Sequence, residues 1–399
     1  MKIYNQSYAD WSAAEYMEIL RCIFSGKVAD GDNSARLVTT LGTIFAPATI
    51  YPMNYGRSAI NIALAACLRR RPERMEVVVP AYVCPSVLDA VTGCGLIPVA
   101  ADVGNDLNLS VVTLAAAVTK NTLAAIVPHM YGCPARIGEI EIFCRDAGIF
   151  LIDDAAQIVG VRQDGKVIGT FGDFGIISFA QSKAVVTGIR GSGGVLVVNN
   201  SDFDAEIRTA WEALPSSGRR LGSSFDFIWN CVWGPYTGNS GYYAARIMDI
   251  LRFRKNSPGA IVKISNLEAG IALVQLQRLE IMLANRVRTI EAYHRAVKTL
   301  KNIEFPQYAP GRYLTRVMLS FPASVNLTVF RATLKNFGLH TRLGYAAQAS
   351  REHRSGNAED WSGRLLGMPC GADIGEVEVQ EIGRILSTAL DACFGARQK

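Results

Sequence analysis

The sequence predicts an α/β protein with a mostly parallel central sheet flanked by helices, followed by a smaller C-terminal α+β domain. Three observations carry this. Between residues 51 and 200, short apolar runs alternate with amphipathic stretches, the pattern of repeated βαβ units. Beyond residue 260 that alternation gives way to long helical periodicity and isolated strand-like runs. The chain has 399 residues, of which 49% are apolar and 19% charged, so it can bury a large core without disulfide or metal staples.

The elements follow in order. "SAINIALAACLRR" (58–70) has helical apolar spacing, and "EVVVPAY" (76–82) reads as a buried strand. Then come helix-like "SVLDAVTGCG", strand "LIPVAADV", helix "VVTLAAAVTK", strand "TLAAIVPHMYG", helix "IGEIEIFCRDAG" and strand "IFLIDDAAQ". A turn is expected at Asp164-Gly165, and "FGIISFAQSK" and "GGVLVVNN" add two strands around a Gly-rich loop. A single helical stretch is expected from Lys263 through "ISNLEAGIALVQLQRLEIMLANRVRTIEAYHRAV", then strand-like "YLTRVMLSFPA", helix-like "VNLTVFRATLKNFG" and a last helix from about Glu376. We divide the chain into an N-terminal arm (1–30), a large α/β domain (31–260) and a small α+β domain (261–399).

Composition narrows the function. The balance of 41 Lys+Arg against 35 Asp+Glu is spread out, which argues against a nucleic-acid partner. The basic run Arg69-Arg70-Arg71 precedes Pro72 and suits a helix C-terminus better than an anion patch. The nine cysteines form no CxxC pair, and Cys22, Cys67, Cys94 and Cys144 sit in apolar runs, as in a reduced protein. With neither a signal-like start nor a run long enough to span a bilayer, a cytoplasmic protein without an integral membrane segment is expected. His129, His294, His340 and His353 are too few and scattered for a metal site, and His294, on a charged helix, reads as solvated.

In parallel sheets, ligands bind beyond the carboxyl ends of the strands. Tyr82, Cys84, Asp102, His129, Tyr131, Asp154 and Gln157 fall there. Lys183 follows "IISFAQS" in a loop poor in charge, where desolvation would lower its pKa and free the amine for Schiff-base chemistry. Asp154 ends the apolar strand in "LIDDAAQ", either as a helix N-cap or as the partner of a pyridinium nitrogen. Gly56, Arg57 and Ser58 open a helix whose amides could hold a phosphate, although capping alone explains the serine equally well.

Taken in order, these residues resemble the DegT/StrS-type sugar aminotransferases, a family of fold-type-I pyridoxal-phosphate enzymes. "VVVPAYVCPSVLDAVTGCGLIPVAADV", "AAIVPHMYGCPARI", "LIDDAAQIVG", "GTFGDFGIISFAQSKAVVTGIRGSGGVLVV", "ISNLEAGIALVQLQRL" and "LLGMPCG" are each similar to a family motif. The D-A-A-Q and S-F-x-x-x-K pair at this separation is the specific part. The resemblance implies that Lys183 carries the cofactor and shuttles the proton, with Asp154 on the ring nitrogen and Gln157 near the ring hydroxyl. It implies a phosphate held by Ser178 with Gly56, Arg57 and Ser58, and a homodimer with its sites at the interface. Family members that act as dehydratases carry histidine in place of this lysine, so transamination is favoured. Cys84 stands where many members place an aromatic residue over the ring, and Ile261, Val262 and Lys263 stand where many carry N-Y-R. The implied substrates are an amino donor such as glutamate and a keto-sugar acceptor attached to a nucleotide. The alternatives are a cyclitol or other carbocyclic ketone as acceptor, or a protein that binds the cofactor without turnover. The aromatic stretch from Phe225 to Tyr243 reads as a subunit contact, with a membrane surface as the competing use.

Overall fold

The computed structural model describes residues 2–5, 10–180, 183–187, 193–217, 260–348 and 356–395. A seven-stranded sheet forms the centre: β1 (Thr49–Met53), β2 (Glu76–Pro80), β3 (Ile97–Ala101), β4 (Thr122–Pro128), β5 (Phe150–Asp154), β8 (Phe174–Ser178) and β9 (Gly194–Val198). Its order is β1-β9-β8-β5-β4-β2-β3. The run β3-β2-β4-β5-β8 is parallel, whereas β9 lies antiparallel between β8 and β1. The expected mostly parallel sheet is therefore present. A small hairpin, β6 (Arg162–Gln163) with β7 (Lys166–Val167), turns at Asp164 and Gly165, whose φ angles of 50° and 79° are those of the expected tight turn.

Helices cover both faces of this sheet, as consecutive parallel strands require. α1 (Ala13–Phe24) and α2 (Asn33–Ile44) precede β1. α3 (Gly56–Arg70), α4 (Pro85–Gly93), α5 (Val111–Ala117), α6 (Ile137–Asp146) and α7 (Asp204–Glu212) fall between and after the strands. Two apolar clusters form, one on each face. Leu37, Leu41, Phe45, Val78, Val127 and Phe179 belong to the first; Ile60, Leu64, Val79, Ile126, Ile152 and Phe174 belong to the second. The Arg run ends α3 as expected: Arg69 pairs with Glu206, and the Arg70 and Arg71 guanidiniums lie over Phe203 and Phe150.

The helical stretch after Lys263 is two helices, Asn266–Leu276 and Leu279–Val297, broken at Gln277–Arg278. The first packs against α1 and α2, and Ser265 and Glu268 cap its start reciprocally. A second, antiparallel sheet has the order β10 (Val317–Ser320), β12 (Leu365–Met368), β11 (Arg342–Leu343). Helices Leu327–Asn336 and Glu376–Gly395 share its apolar cluster, with Leu319, Phe321, Phe330 and Leu386. His294 is not simply solvated, because its ring stacks on Tyr308 with centroids 3.5 Å apart. Cys22, Cys67 and Cys144 are buried, but Cys94 is only half-buried. Among the described residues, no helix is long and apolar enough to cross a membrane, and no cluster of His, Cys, Asp or Glu could hold a metal ion. The aromatic stretch 225–243 lies outside the described residues.

Two glycines test the packing. A Cβ on Gly42, in α2, would meet nothing within 4 Å, whereas one on Gly194 would lie 2.2 Å from the Tyr55 carbonyl carbon. Gly42→Ala should therefore stabilise the protein by about 0.5–1 kcal/mol in urea denaturation, since alanine loses less backbone entropy in a helix. Gly194→Ala should destabilise it by about 1–3 kcal/mol, because the crowding atoms are backbone and cannot swing away. Equal shifts in the two variants would contradict this packing.

Candidate active site

β5 ends on two consecutive carboxylates, and strand alternation sends them to opposite faces. Asp153 is fully buried on one side, where it accepts from the Gly169 and Phe171 amides at 2.6 and 3.1 Å and meets His129 Nε2 at 2.7 Å. The Ala135 amide donates to His129 Nδ1 at 3.0 Å, so Nδ1 carries no proton and Nε2–H donates to Asp153. Asp154, also buried, accepts from the Ala156 amide at 3.0 Å. Asp154 thus caps a turn. Burial raises its carboxyl above the ordinary range, and the attraction of Lys183 opposes that rise.

Lys183 lies just beyond β8, the strand beside β5. Burial lowers its ammonium from the ordinary value; nearby Cys84 and Asp154 pull it up, and Arg316 pushes it down. The backbone after Lys183 is held firmly. Gln275, from helix Asn266–Leu276, accepts from the Val186 amide at 2.9 Å and donates to its carbonyl at 2.7 Å. Trp11 Nε1 donates to the same carbonyl at 2.9 Å.

Next to the end of β8 stands the N-terminus of α3. Its N-cap, Tyr55, makes no side-chain capping bond, and the Ser58 and Ala59 amides donate to the Tyr55 carbonyl. A Cβ at Gly56 would lie 3.2 Å from Ser178 Cβ and 3.5 Å from its hydroxyl oxygen, so glycine permits this close approach. The Arg57 guanidinium lies 4.9 Å from the Tyr55 ring centroid. Ser58 is buried and already engaged: its hydroxyl donates to Asn54 at 3.0 Å and its amide to the Tyr55 carbonyl.

Gln157, three residues beyond Asp154, is buried beside Met130. Cys84 is half-buried, with Sγ 3.1 Å from the Ser86 hydroxyl. The Tyr82 ring is fully buried; its hydroxyl meets that of Tyr131 at 2.9 Å and accepts from the Tyr345 amide at 3.0 Å. Tyr131 and Tyr345 stack with centroids 5.4 Å apart. Burial raises the Tyr82 hydroxyl to about 12 and takes Tyr131 and Tyr345 well above their ordinary value. Asp102 serves the fold instead, accepting from the Asn357 and Ala358 amides at the start of helix Gly356–Arg364. Lys263 Nζ donates to the Glu212 carbonyl and lies over Trp211 within the same chain. Residues 188–192 of the Gly-rich loop lie outside the described residues. The sequence reading did not single out Gln275, Tyr345 or Arg316, each of which reaches the site from a distant part of the chain.

The DegT/DnrJ/EryC1/StrS aminotransferase family matches residues 10–387. A GDP-perosamine synthase of Vibrio cholerae is 31% identical over 184 residues, 46% of this chain and 48% of that protein. The UDP-N-acetyl-3-dehydro-alpha-D-glucosamine 3-aminotransferase of Acidithiobacillus ferrooxidans is 34% identical over 154 residues, 38% of this chain and 41% of that protein. These alignments span about half the length of the curated relatives. Among solved structures, Helicobacter pylori PseC, an aminotransferase involved in pseudoaminic acid biosynthesis, superposes with a TM-score of 0.79. The match covers 98% of this chain and 100% of that one at 15% identity. TlmJ of Streptoalloteichus hindustanus gives a TM-score of 0.77 at 21% identity, with 98% and 100% covered. At such identities the superpositions establish the fold. The family match, running over nearly the whole chain, establishes the kinship: this protein belongs to the DegT/DnrJ/EryC1/StrS aminotransferases, which are pyridoxal-phosphate-dependent.

Proposed function

We propose that this chain is a pyridoxal-phosphate-dependent aminotransferase that moves an amino group from an amino acid, glutamate, to a nucleotide-linked keto sugar. The observation that carries the reading is the electrostatic attraction between buried Asp154, at the end of β5, and half-buried Lys183, just beyond β8 on the neighbouring strand. The surroundings fit the cofactor on three counts. The buried Asp154 carboxylate can hold a proton on a pyridine nitrogen. The start of α3, without a side-chain cap, together with Gly56, Arg57 and Ser178 would cradle a phosphate. Gln157 would reach the ring hydroxyl, and Cys84 would pack on the ring face. Ser58 supports that cradle through Asn54.

When bound, pyridoxal phosphate supplies an electron sink that makes the donor's α-hydrogen acidic. The protein's own part is proton handling and alignment. Lys183 Nζ, its basicity lowered by burial, would take the proton from the donor's Cα and deliver it on the same face. The Asp154 carboxylate would keep the ring nitrogen protonated. Gln275 fixes the backbone from which Lys183 reaches, so the amine does not have to be reoriented between steps. The relatives' names concern GDP- and UDP-linked sugars, and this supports a nucleotide-linked acceptor here. We further propose that the active form is a homodimer.

Three measurements test this. The purified protein should be yellow, and borohydride should fix the cofactor to wild type but not to Lys183→Ala; an adduct in the variant would move the attachment to another lysine. Asp154→Asn should retain cofactor but lose about a hundredfold or more in turnover, since the amide cannot hold the ring proton. Asp153→Asn should keep most of its rate but lose about 1–3 kcal/mol of stability, because a carboxylate that serves buried donors is gone. Equal loss of rate in the two variants would refute the division of roles between them. Light scattering should give twice the 43.3 kDa chain mass; a monodisperse monomer would rule out the homodimer.

A further inference from the structure

Arg316 is a cation of the site to which the proposed cofactor assigns no role. It is half-buried and immediately precedes β10, and its backbone is pinned from both sides. The amide of Thr315 donates to the Tyr131 carbonyl at 2.8 Å, and Cys370 Sγ donates to the Thr315 carbonyl at 3.2 Å. Gly132 makes this approach possible, since a Cβ there would lie 2.9 Å from the Thr315 nitrogen. The Arg316 guanidinium then lies over the Tyr131 ring, 5.9 Å from its centroid. Tyr131 itself has a left-handed backbone, φ 56°, which is unfavourable for a bulky residue. It is held there by its stack on Tyr345 and by the Tyr82 hydroxyl. Strained backbone, stacked ring and pinned strand together set one guanidinium at the cleft wall that contains Cys84 and Lys183.

Among the described residues no carboxylate pairs with Arg316. Its positive charge adds to that of Lys183, with Asp154 the single carboxylate opposing Lys183. A half-buried guanidinium with no carboxylate partner among the described residues is a receptor for an oxyanion, and its planar fork matches a carboxylate or a phosphate. We infer that Arg316 binds the α-carboxylate of the amino donor, and so orients the donor with its amine toward Lys183; this rests on the aminotransferase reading above. Proximity selects the carboxylate over the acceptor's diphosphate. In an amino acid the carboxylate and the amine share one carbon. In a nucleotide sugar the diphosphate lies a ring away from a reacting ketone.

The test uses the holoenzyme and the absorbance band of its cofactor. In wild type, L-glutamate should change the band, saturating with concentration. In Arg316→Gln the half-saturating glutamate concentration should rise about tenfold to a hundredfold, the loss expected of a charge-assisted bidentate contact. Arg316→Lys, which keeps the charge but not the fork, should fall between them. Affinity for UDP and GDP, by calorimetry, should stay within about twofold of wild type, and the cofactor band before glutamate is added should be unaltered. Unchanged glutamate saturation in Arg316→Gln would overturn the inference, as would loss of nucleotide affinity with glutamate saturation intact, which would assign Arg316 to the diphosphate. Should wild type itself not respond to glutamate, the proposed donor reaction fails. Arg316 is then judged on calorimetric binding of 2-oxoglutarate, where an equal affinity in wild type and Arg316→Gln would overturn the inference and a tenfold weakening would support it.

Discussion

An acid, Asp154, and an amine, Lys183, attract each other in a cleft where burial limits their hydration. Each is driven toward its neutral form by desolvation and held back by the other. Such a pair persists only if its geometry is fixed, because a displaced partner would leave an uncompensated charge. Much of the surrounding architecture serves that requirement. Parallel pairing of β5 with β8 sets the two strand ends side by side. The Ala156 amide orients one charge, and Gln275 and Trp11 hold the backbone just beyond the other.

The neighbouring carboxylate shows how far one residue of register can separate two roles. Asp153 and Asp154 differ by a single step along β5, yet Asp153 is spent entirely on the fold. Its oxygens take two amides from the 169–171 turn and the proton on His129 Nε2. That network ties the end of β4 to the segment that leads into β8. A buried carboxylate with three donors is structurally satisfied. The adjacent carboxylate, which accepts from one amide, has more capacity left.

How much of this was legible in the sequence depended on distance along the chain. The strands β2 to β5, β8 and β9 were legible because buried strands are short apolar runs bounded by turn residues. β1 was not, since Pro52 interrupts "TIYPM" and its pairing with β9 joins segments far apart. The two-residue β11 and four-residue β12 carry too few residues to show a period. The break at Gln277–Arg278 was hidden because apolar spacing continues across it on both sides. In the candidate site, Asp154 and Lys183 could be named because each ends an apolar run with a charge. Arg316 and Gln275 gave no such signal: one sits in a strand-like stretch rich in ordinary residues, the other within a helix. Tertiary packing alone makes them neighbours of the lysine.

The double bond from Gln275 to Val186 also bears on the thermodynamics of loading. A loop that has to be ordered when a ligand arrives takes that ordering cost out of the binding free energy, on the order of 1 kcal/mol for each backbone residue fixed. Here Val186, three residues after Lys183, is fastened to helix Asn266–Leu276 by bonds made within the chain. The entropy of arranging this stretch is lost once, during folding. Affinity at the lysine is therefore coupled to the stability of that helix, and weakening the helix would loosen the stretch that carries the lysine.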